Sequence, residues 1–430
     1  MKVCIIGAGV VGSYLAKKLS KENYEIAVVD TDSSKIEQLT YSYDILGINC
    51  NALEINCLKE VENFDLFVIV TESDEKNIAI AVLLKSLFQK ENIIVRVSNK
   101  AFSSPPVREF LQCETVNVLS ETIQTVLSII KYPFALSTVR LENDGILIFK
   151  YLVKVEDFLA GKQISELRNI RDQVEFTIVA IERENEVIIP SGKTFIYPGD
   201  KIHIAVKEEK TYELVKALGI KLSPIKFVFV LGYSKITEEL LRKLSEIKEL
   251  KIKFLSPDKR ICETISGNFP NVSVFHGELT DVELLKSENI GNADLTISLT
   301  EDEETNILSA ILAKRLGAKK VCSLVIHPEY EKIVESIGID VPLIPRKLIA
   351  SKVYRSLSKR GILELLELSE NIDIVEFSIS SELSGKKVFE LGNGTCNLIV
   401  AVKRGEKVFL ARGDTELKKN DTVICIEKKK

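Results

Sequence analysis

The sequence has little of what most catalytic or membrane-spanning chains need. Histidine occurs three times in 430 residues, at 203, 276 and 327, and never twice within one helical turn. Histidine-based metal chemistry therefore lacks its ligand pairs. The eight cysteines include no C-x-x-C pair, and several sit in strand-like apolar runs as small hydrophobes, which argues against a zinc site or a disulfide framework. No purely apolar run approaches the ~18 residues that cross a bilayer; Leu66–Val70 and Phe227–Leu231 are typical of the longest. The amino terminus enters a strand pattern at Val3 without the basic and apolar regions of a secretory signal, so a cytosolic chain is expected. Charge is also scarce as a net quantity. The 58 basic and 62 acidic side chains leave −4, with both signs interspersed, and no basic stripe addresses a nucleic acid.

What is present is a duplication. Val3–Gly7 (VCIIG) recurs as Val228–Gly232 (VFVLG), and Thr71–Asn77 (TESDEKN) recurs as Thr300–Asn306 (TEDEETN). Farther on, Gly161–Ile164 matches Gly385–Val388, and the stretch from Val179 to Asp200 matches that from Val400 to Asp421. Within each half the periodicity changes. Short apolar β-favouring runs first alternate with helical stretches, as in Val3–Ile6, Val10–Lys21, Ile26–Val29, Leu66–Val70, Glu75–Lys90 and Ile93–Val97, which predicts a parallel sheet covered on both faces. Short strands and turns follow, with Pro198-Gly199-Asp200 as one turn, which predicts a small mixed or antiparallel module. The fold class is thus α/β, with two tandem Rossmann-like doubly wound domains, each followed by a small α+β module. The expected boundaries are 1–131, 132–215, 226–366 and 367–430. Amphipathic helices over Leu119–Lys131 and Lys347–Leu368 are expected to close the two Rossmann-like parts, covering the sheet or meeting a partner subunit.

Gly7-Ala8-Gly9-Val10-Val11-Gly12 fits G-x-G-x-x-G between a strand and a helix, and Asp30 ends the next apolar strand. Gly7 permits the tight turn, Gly9 lets a pyrophosphate approach the backbone, and Gly12 brings the helix close to the sheet. Amides at the helix start face the phosphates. Asp30 can accept from a ribose 2′-hydroxyl and would repel a 2′-phosphate, favouring NAD or an adenosine nucleotide. Thr71, Glu72 and Arg96 end neighbouring strands, where ligands of open parallel sheets gather, and the Arg96 guanidinium suits a phosphate. Asn51 follows the third strand and either bonds an adenine edge or caps the next helix. In the second copy only Gly232 survives; Ser234, Thr237 and Ser256 replace Gly9, Gly12 and Asp30, which predicts weak or absent nucleotide binding there.

No acid–base group is recognisable beside this turn. Tyr14/Lys18 and Tyr212/Lys216 have the Tyr-x-x-x-Lys spacing of short-chain dehydrogenases, but Tyr14 lies on the phosphate-facing helix. Neither a G-x-S-x-G elbow nor a P-loop occurs. An NAD-dependent dehydrogenase with unrecognised catalytic residues is the alternative to a non-enzymatic sensor. The Gly7–Gly12 turn, Asp30, the two T-x-x-[DE]-E-x-N runs and Val179–Arg183 with Ile189–Gly192 and Pro198–Asp200 together resemble the RCK (or KTN) family of potassium-transport regulators, in its long form with two N-lobe and C-lobe pairs. That resemblance covers essentially the whole chain. It implies a regulatory subunit of Trk-type potassium uptake that forms a homo-oligomeric ring, peripheral on the inner face of the membrane beneath a potassium-translocating subunit. It also implies NAD(H) or ATP/ADP bound at Gly7 through Val11, Asp30, Thr71, Glu72 and Arg96. Relatives often carry a Gly-Asp pair after the third strand, where this chain has Cys50-Asn51.

Overall fold

A computed structural model describes residues 1–21, 24–141, 145–184, 186–345, 347, 349–350, 353, 362–369, 372–391 and 396–428. The chain divides into two compact units. One comprises Met1–Ile123 with Val325–Tyr330 and Leu343–Leu357; the other comprises Gln124–Leu324, Glu331–Pro342 and Ser358–Lys430.

The first unit is built on strands and helices in strict alternation: β1 (Lys2–Ile6), α1 (Val10–Leu19), β2 (Glu25–Asp30), α2 (Ser33–Ser42), β3 (Leu46–Asn49), α3 (Ile55–Glu60), β4 (Leu66–Ile69), α4 (Asp74–Phe88), β5 (Ile93–Val97), α5 (Pro105–Leu111) and β6 (Glu114–Asn117). The six strands are parallel in the order β3-β2-β1-β4-β5-β6. This is the doubly wound order, whose reversal between β1 and β4 opens a crevice at the strands' carboxyl ends. Strands β1 and β4 are apolar almost throughout because both faces are covered. One core joins Cys4, Ile6, Phe67 and Ile69 of the sheet to Leu58 of α3 and Ile80 and Leu84 of α4. Helix α6 (Val118–Lys131) follows β6 and buries a stripe comprising Val118, Thr122, Ile123, Val126 and Ile129 within the chain.

The second unit contains three sheets. Strands β7 (Ser137–Leu141), β8 (Ile146–Leu152), β9 (Phe176–Arg183), β10 (Glu186–Ile188) and β11 (Lys201–Lys207) form an antiparallel sheet ordered β10-β9-β11-β8-β7, accompanied by α7 (Arg168–Gln173) and α8 (Thr211–Ala217). A second six-stranded sheet repeats the doubly wound order as β14-β13-β12-β15-β16-β17. Its elements are β12 (Phe227–Leu231), α9 (Thr237–Ser245), β13 (Lys251–Ser256), α10 (Lys259–Asn268), β14 (Val272–His276), α11 (Val282–Ser287), β15 (Leu295–Ser298), α12 (Glu303–Arg315), β16 (Lys320–Leu324), α13 (Glu331–Ser336) and β17 (Val341–Leu343). The last sheet, β18 (Ile362–Ser369), β19 (Ile372–Ser378), β20 (Leu398–Arg404), β21 (Lys407–Leu410) and β22 (Thr422–Lys428), has the order β18-β19-β22-β20-β21, the topology of the first small sheet. The two small sheets share one apolar cluster, with Ile148, Val179 and Ala205 against Ile374, Val400, Ala401 and Ile424. Each also repeats a buried fork: Arg183 Nε and Nη2 donate to Asp200 at 2.7 Å, and Arg404 does the same to Asp421 at 2.9 and 2.7 Å. Such bidentate pairs tie the strand before each turn to the strand after it.

Two expectations need correction. The helix expected over Lys347–Leu368 does not reach its end: residues 347, 349, 350 and 353 are helical, but Ile362–Ser369 is strand β18, paired antiparallel with β19. The boundary expected at 366 therefore falls inside a strand; residues 354–361 lie outside the described residues. Cysteine is also not only a small hydrophobe here. Cys50–Cys57 and Cys396–Cys425 are disulfides, while Cys4, Cys113, Cys262 and Cys322 are free and buried. No described helix is long and apolar enough to cross a membrane.

Candidate nucleotide-binding site

The glycine turn joins β1 to α1 at the switch point of the first sheet. Gly7 has φ +110°, a backbone conformation that L side chains rarely adopt, and a β-carbon there would lie 3.0 Å from the Thr71 nitrogen. Gly12 is held more tightly still: its β-carbon would sit 1.7 Å from the Gly7 carbonyl oxygen. Gly9 is the opposite case. Nothing lies within 4 Å of a β-carbon built there, so its missing side chain serves space outside the fold rather than packing inside it.

Gly9 is also the N-cap of α1, with φ −65° and ψ −171°, and no side chain caps the helix. Helices α2 and α4 of the same sheet are capped by Asp32 and Ser73, whose side chains accept from the first-turn amides. At α1 the first-turn amides of Val10, Val11 and Gly12 have no partner within the helix, and the helix dipole adds positive potential where they point. Val10 is half exposed at this end and Ala8 is buried.

Asp30 ends β2 beside the turn. Its Oδ2 accepts from the Ala8 amide at 2.5 Å and its Oδ1 from the Asp32 amide at 2.9 Å. A carboxylate has about four acceptor positions, so these two bonds fix its orientation and leave capacity for a ribose hydroxyl. Asp30 thus shapes the turn.

On the other side of the switch point, Arg96 Nη1 donates to the Thr71 carbonyl at 3.0 Å, and Glu72 is exposed next to Thr71. The geometry brings Gly7, Thr71 and Arg96 together: Val70–Thr71 backbone flanks Gly7, and Arg96 reaches Thr71. Asn51 does not cap α3, whose N-cap is Glu54 with no side-chain cap; it forms a turn just ahead of that helix. Its Oδ1 accepts from the Leu53 amide at 3.1 Å and its carbonyl from the Glu54 amide at 2.9 Å, a local turn that leads into α3, while the residue as a whole stays exposed.

Two residues that hold this crevice had no assigned role in the sequence reading. Asn77 is fully buried; its Oδ1 accepts from the Thr71 amide at 3.1 Å, and its Nδ2 donates to the Thr71 and Arg96 carbonyls at 3.2 and 3.0 Å. Asp74 accepts from the Ser98 and Asn99 amides at 2.7 to 2.9 Å, tying the loop after β5 to the start of α4. Their signal was the repeated T-x-x-[DE]-E-x-N run. Asn306 makes the same bonds to the Thr300 amide and to the Thr300 and Leu324 carbonyls.

The second turn satisfies itself. Gly232 keeps a positive φ of +82°, but the Thr237 hydroxyl accepts from the Ser234 amide at 2.9 Å. Ser234, Thr237 and Ser256 are all buried, and Ser256 Oγ accepts from the Asp258 amide at 3.2 Å. The Ser234 amide, at the position of the Gly9 amide, is thus engaged within the turn.

Comparisons with known proteins agree with this duplicated architecture. The TrkA-N domain model matches residues 3–113 and again 228–345, and the TrkA-C domain model matches residues 148–219. A Trk system potassium uptake protein TrkA homolog 1 from Methanosarcina mazei is 29% identical over 442 aligned residues, covering 99% of this chain and 96% of the relative. The Trk system potassium uptake protein TrkA of Vibrio alginolyticus is 28% identical, covering 99% and 95%. Among solved structures, the GsuK channel bound to NAD superposes with a TM-score of 0.67 at 17% identity, covering 99% of this chain and 76% of that one, and the GsuK RCK domain with 0.65 at 17%, covering 99% and 92%. These structural likenesses establish the fold. With two TrkA-N matches that together span more than half of its length, the chain belongs to the TrkA family.

Proposed function

We propose that this chain is the nucleotide-sensing regulatory subunit of a Trk-type potassium uptake system rather than an enzyme. NAD(H) or ATP/ADP binds at Gly7–Gly12, with Asp30 on the ribose and Arg96 and Thr71 lining the phosphate side; Glu72 and Asn51 flank the mouth of the crevice. The observation that carries this reading is the uncapped start of α1 beside the open space at Gly9. The relatives are named as potassium uptake proteins, which gives the sensor its output.

The chain works as a cytoplasmic homo-oligomeric ring on the inner membrane face, contacting a potassium-translocating subunit. A ligand regulates only by binding one ring conformation better than another, and ~1–3 kcal/mol of coupling is enough for a graded response. The second turn, already closed by Thr237, contributes little nucleotide binding.

Calorimetric titration of the purified chain with NAD, NADH, ATP and ADP tests the site. Saturable binding that Gly9→Asp abolishes is the expected result; no heat with any of the four refutes it. Co-purification with a multi-span potassium transporter tests the output.

A further inference from the structure

The Cys50–Cys57 disulfide closes a ring around residues 51–56, the loop at the sugar side of the crevice. Cys50 follows β3 directly, and its amide donates to the Asp30 carbonyl at 3.1 Å, so the ring is anchored to the residue that orients the glycine turn. The other end, Cys57, is buried in α3 among the core residues Ala52, Leu58 and Val61. With the two Cα atoms 5.9 Å apart, the pair spans an ordinary disulfide distance without backbone movement.

We propose that Cys50 and Cys57 form a thiol–disulfide switch whose state sets nucleotide affinity through the Asn51–Glu54 loop. This rests on the nucleotide-binding reading above. The two residues differ in exposure: Cys50 is half-buried, whereas Cys57 is 4% exposed. An incoming thiolate therefore attacks the Cys50 sulfur, forms a mixed disulfide there and expels Cys57 as a thiolate, which takes up a proton. A second thiol attacks the outer sulfur of that mixed disulfide, freeing Cys50 and leaving a small-molecule disulfide. Oxidation is the reverse, with a low-molecular-weight disulfide such as oxidised glutathione accepting the two electrons and leaving as two thiols. The free cysteines do not compete. Cys4 and Cys322 are fully buried, and burial pushes both thiols up, Cys322 to about 12.

In the oxidised form the loop is fixed at both ends. In the reduced form it keeps the Asn51 turn, whose bonds to Leu53 and Glu54 lie at exposed positions. Ordering that loop then falls on the binding step, so the reduced chain binds more weakly, by about threefold or more, the range that fixing one or two side chains beforehand accounts for.

The test equilibrates the full chain in glutathione buffers of graded potential, reads Cys50 and Cys57 by alkylation and mass spectrometry, and titrates ADP and NAD into the reduced and oxidised forms. Expected is a mass lower by two hydrogens on oxidation for the peptide carrying Cys50 and Cys57, read apart from the Cys396–Cys425 pair, tighter binding by the oxidised chain, and a Cys57→Ser variant fixed at the reduced affinity in every buffer. Full alkylation of both cysteines in every buffer, or equal affinities in the two forms, overturns the proposal. Absence of binding in both forms overturns the nucleotide reading instead. The switch is then decided by hydrogen exchange at residues 51–54: slower exchange on oxidation supports it, and identical exchange overturns it.

Discussion

Gly9 and Gly12 lie in one turn, yet alanine at each should fail in a different way. At Gly9 the backbone is in an extended region open to any L residue, and the added methyl meets no protein atom within 4 Å. Losing glycine from an N-cap costs ~0.5–1 kcal/mol. Restricting the unfolded chain returns ~0.4–1 kcal/mol, so Gly9→Ala should melt with the parent. Its methyl instead fills the space where a diphosphate approaches the backbone, and binding should fall at least tenfold, ~1.4 kcal/mol. At Gly12 the same methyl would stand 1.7 Å from the Gly7 carbonyl oxygen, a backbone atom with no rotamer to escape into, so α1 must move away from β1. That places the cost near the upper end for overpacking, ~3 kcal/mol, and lowers the first unit's melting temperature by roughly 10 °C. Thermal melting and calorimetric titration on the two variants separate the cases. Parental nucleotide affinity in Gly9→Ala refutes the assignment of the cradle, and a parental melt in Gly12→Ala refutes the close approach of α1 to the sheet.

The duplicated asparagines and the buried histidine give two further predictions. Asn77→Ala and Asn306→Ala each strand buried backbone groups at ~1–3 kcal/mol per group, so both destabilise, but only Asn77→Ala should also weaken nucleotide binding, because only Asn77 fixes Thr71 and Arg96. Equal loss of binding in paired titrations would mean that the second half shares the site. His203 is buried on β11, with Nε2 2.8 Å from Glu182 Oε1 and Nδ1 without a partner; burial lowers its pKa, against the raising effect of Glu182. Burial pushes Glu182 up, yet the His203 hydrogen bond and the Lys150 ammonium outweigh it and hold the carboxyl at about 2. Both folded values lie below the unfolded ones, so the unfolded chain binds more protons. Stability is therefore lost as pH falls, first below ~6.5 as His203 charges in the unfolded state and then below ~4.3 toward the folded value of Glu182. Denaturant melts between these pH values should show the decline, and His203→Gln should remove its upper part while keeping the lower.

The α/β class, both doubly wound sheets and the glycine turn were legible because each rests on local rules: apolar runs covered on two faces, helical periodicity, and glycines at fixed spacing. Residues whose meaning depends on a distant partner were not. Ile362–Ser369 (ILELLELS) carries apolar residues at helix-like intervals, and only pairing with β19 makes it a strand. Cys50 and Cys57 have no spacing signature, and the turn after β3 brings them together. The place of Asp30 at the end of β2 was legible, but not its role as the acceptor of the Ala8 amide, a bond that exists only once β1 and β2 are side by side.

The two turns also show that loss of glycines was an incomplete reading of the second half. Ser234 stands at the position of Gly9, but it is buried and its hydroxyl has no partner in the turn. The hydroxyl of Thr237, at the position of Gly12, instead accepts from the Ser234 amide and closes the start of the turn. In the first half Gly12 has no side chain to do this, whereas α1 and α9 alike begin without a side-chain cap. The same glycine that lets α1 approach β1 thus also leaves the Gly9 amide without an acceptor from position 12. Threonine at that position in the duplicate supplies an internal acceptor for the Ser234 amide, so a single residue difference bears on both the approach of helix to strand and the donors left at the turn.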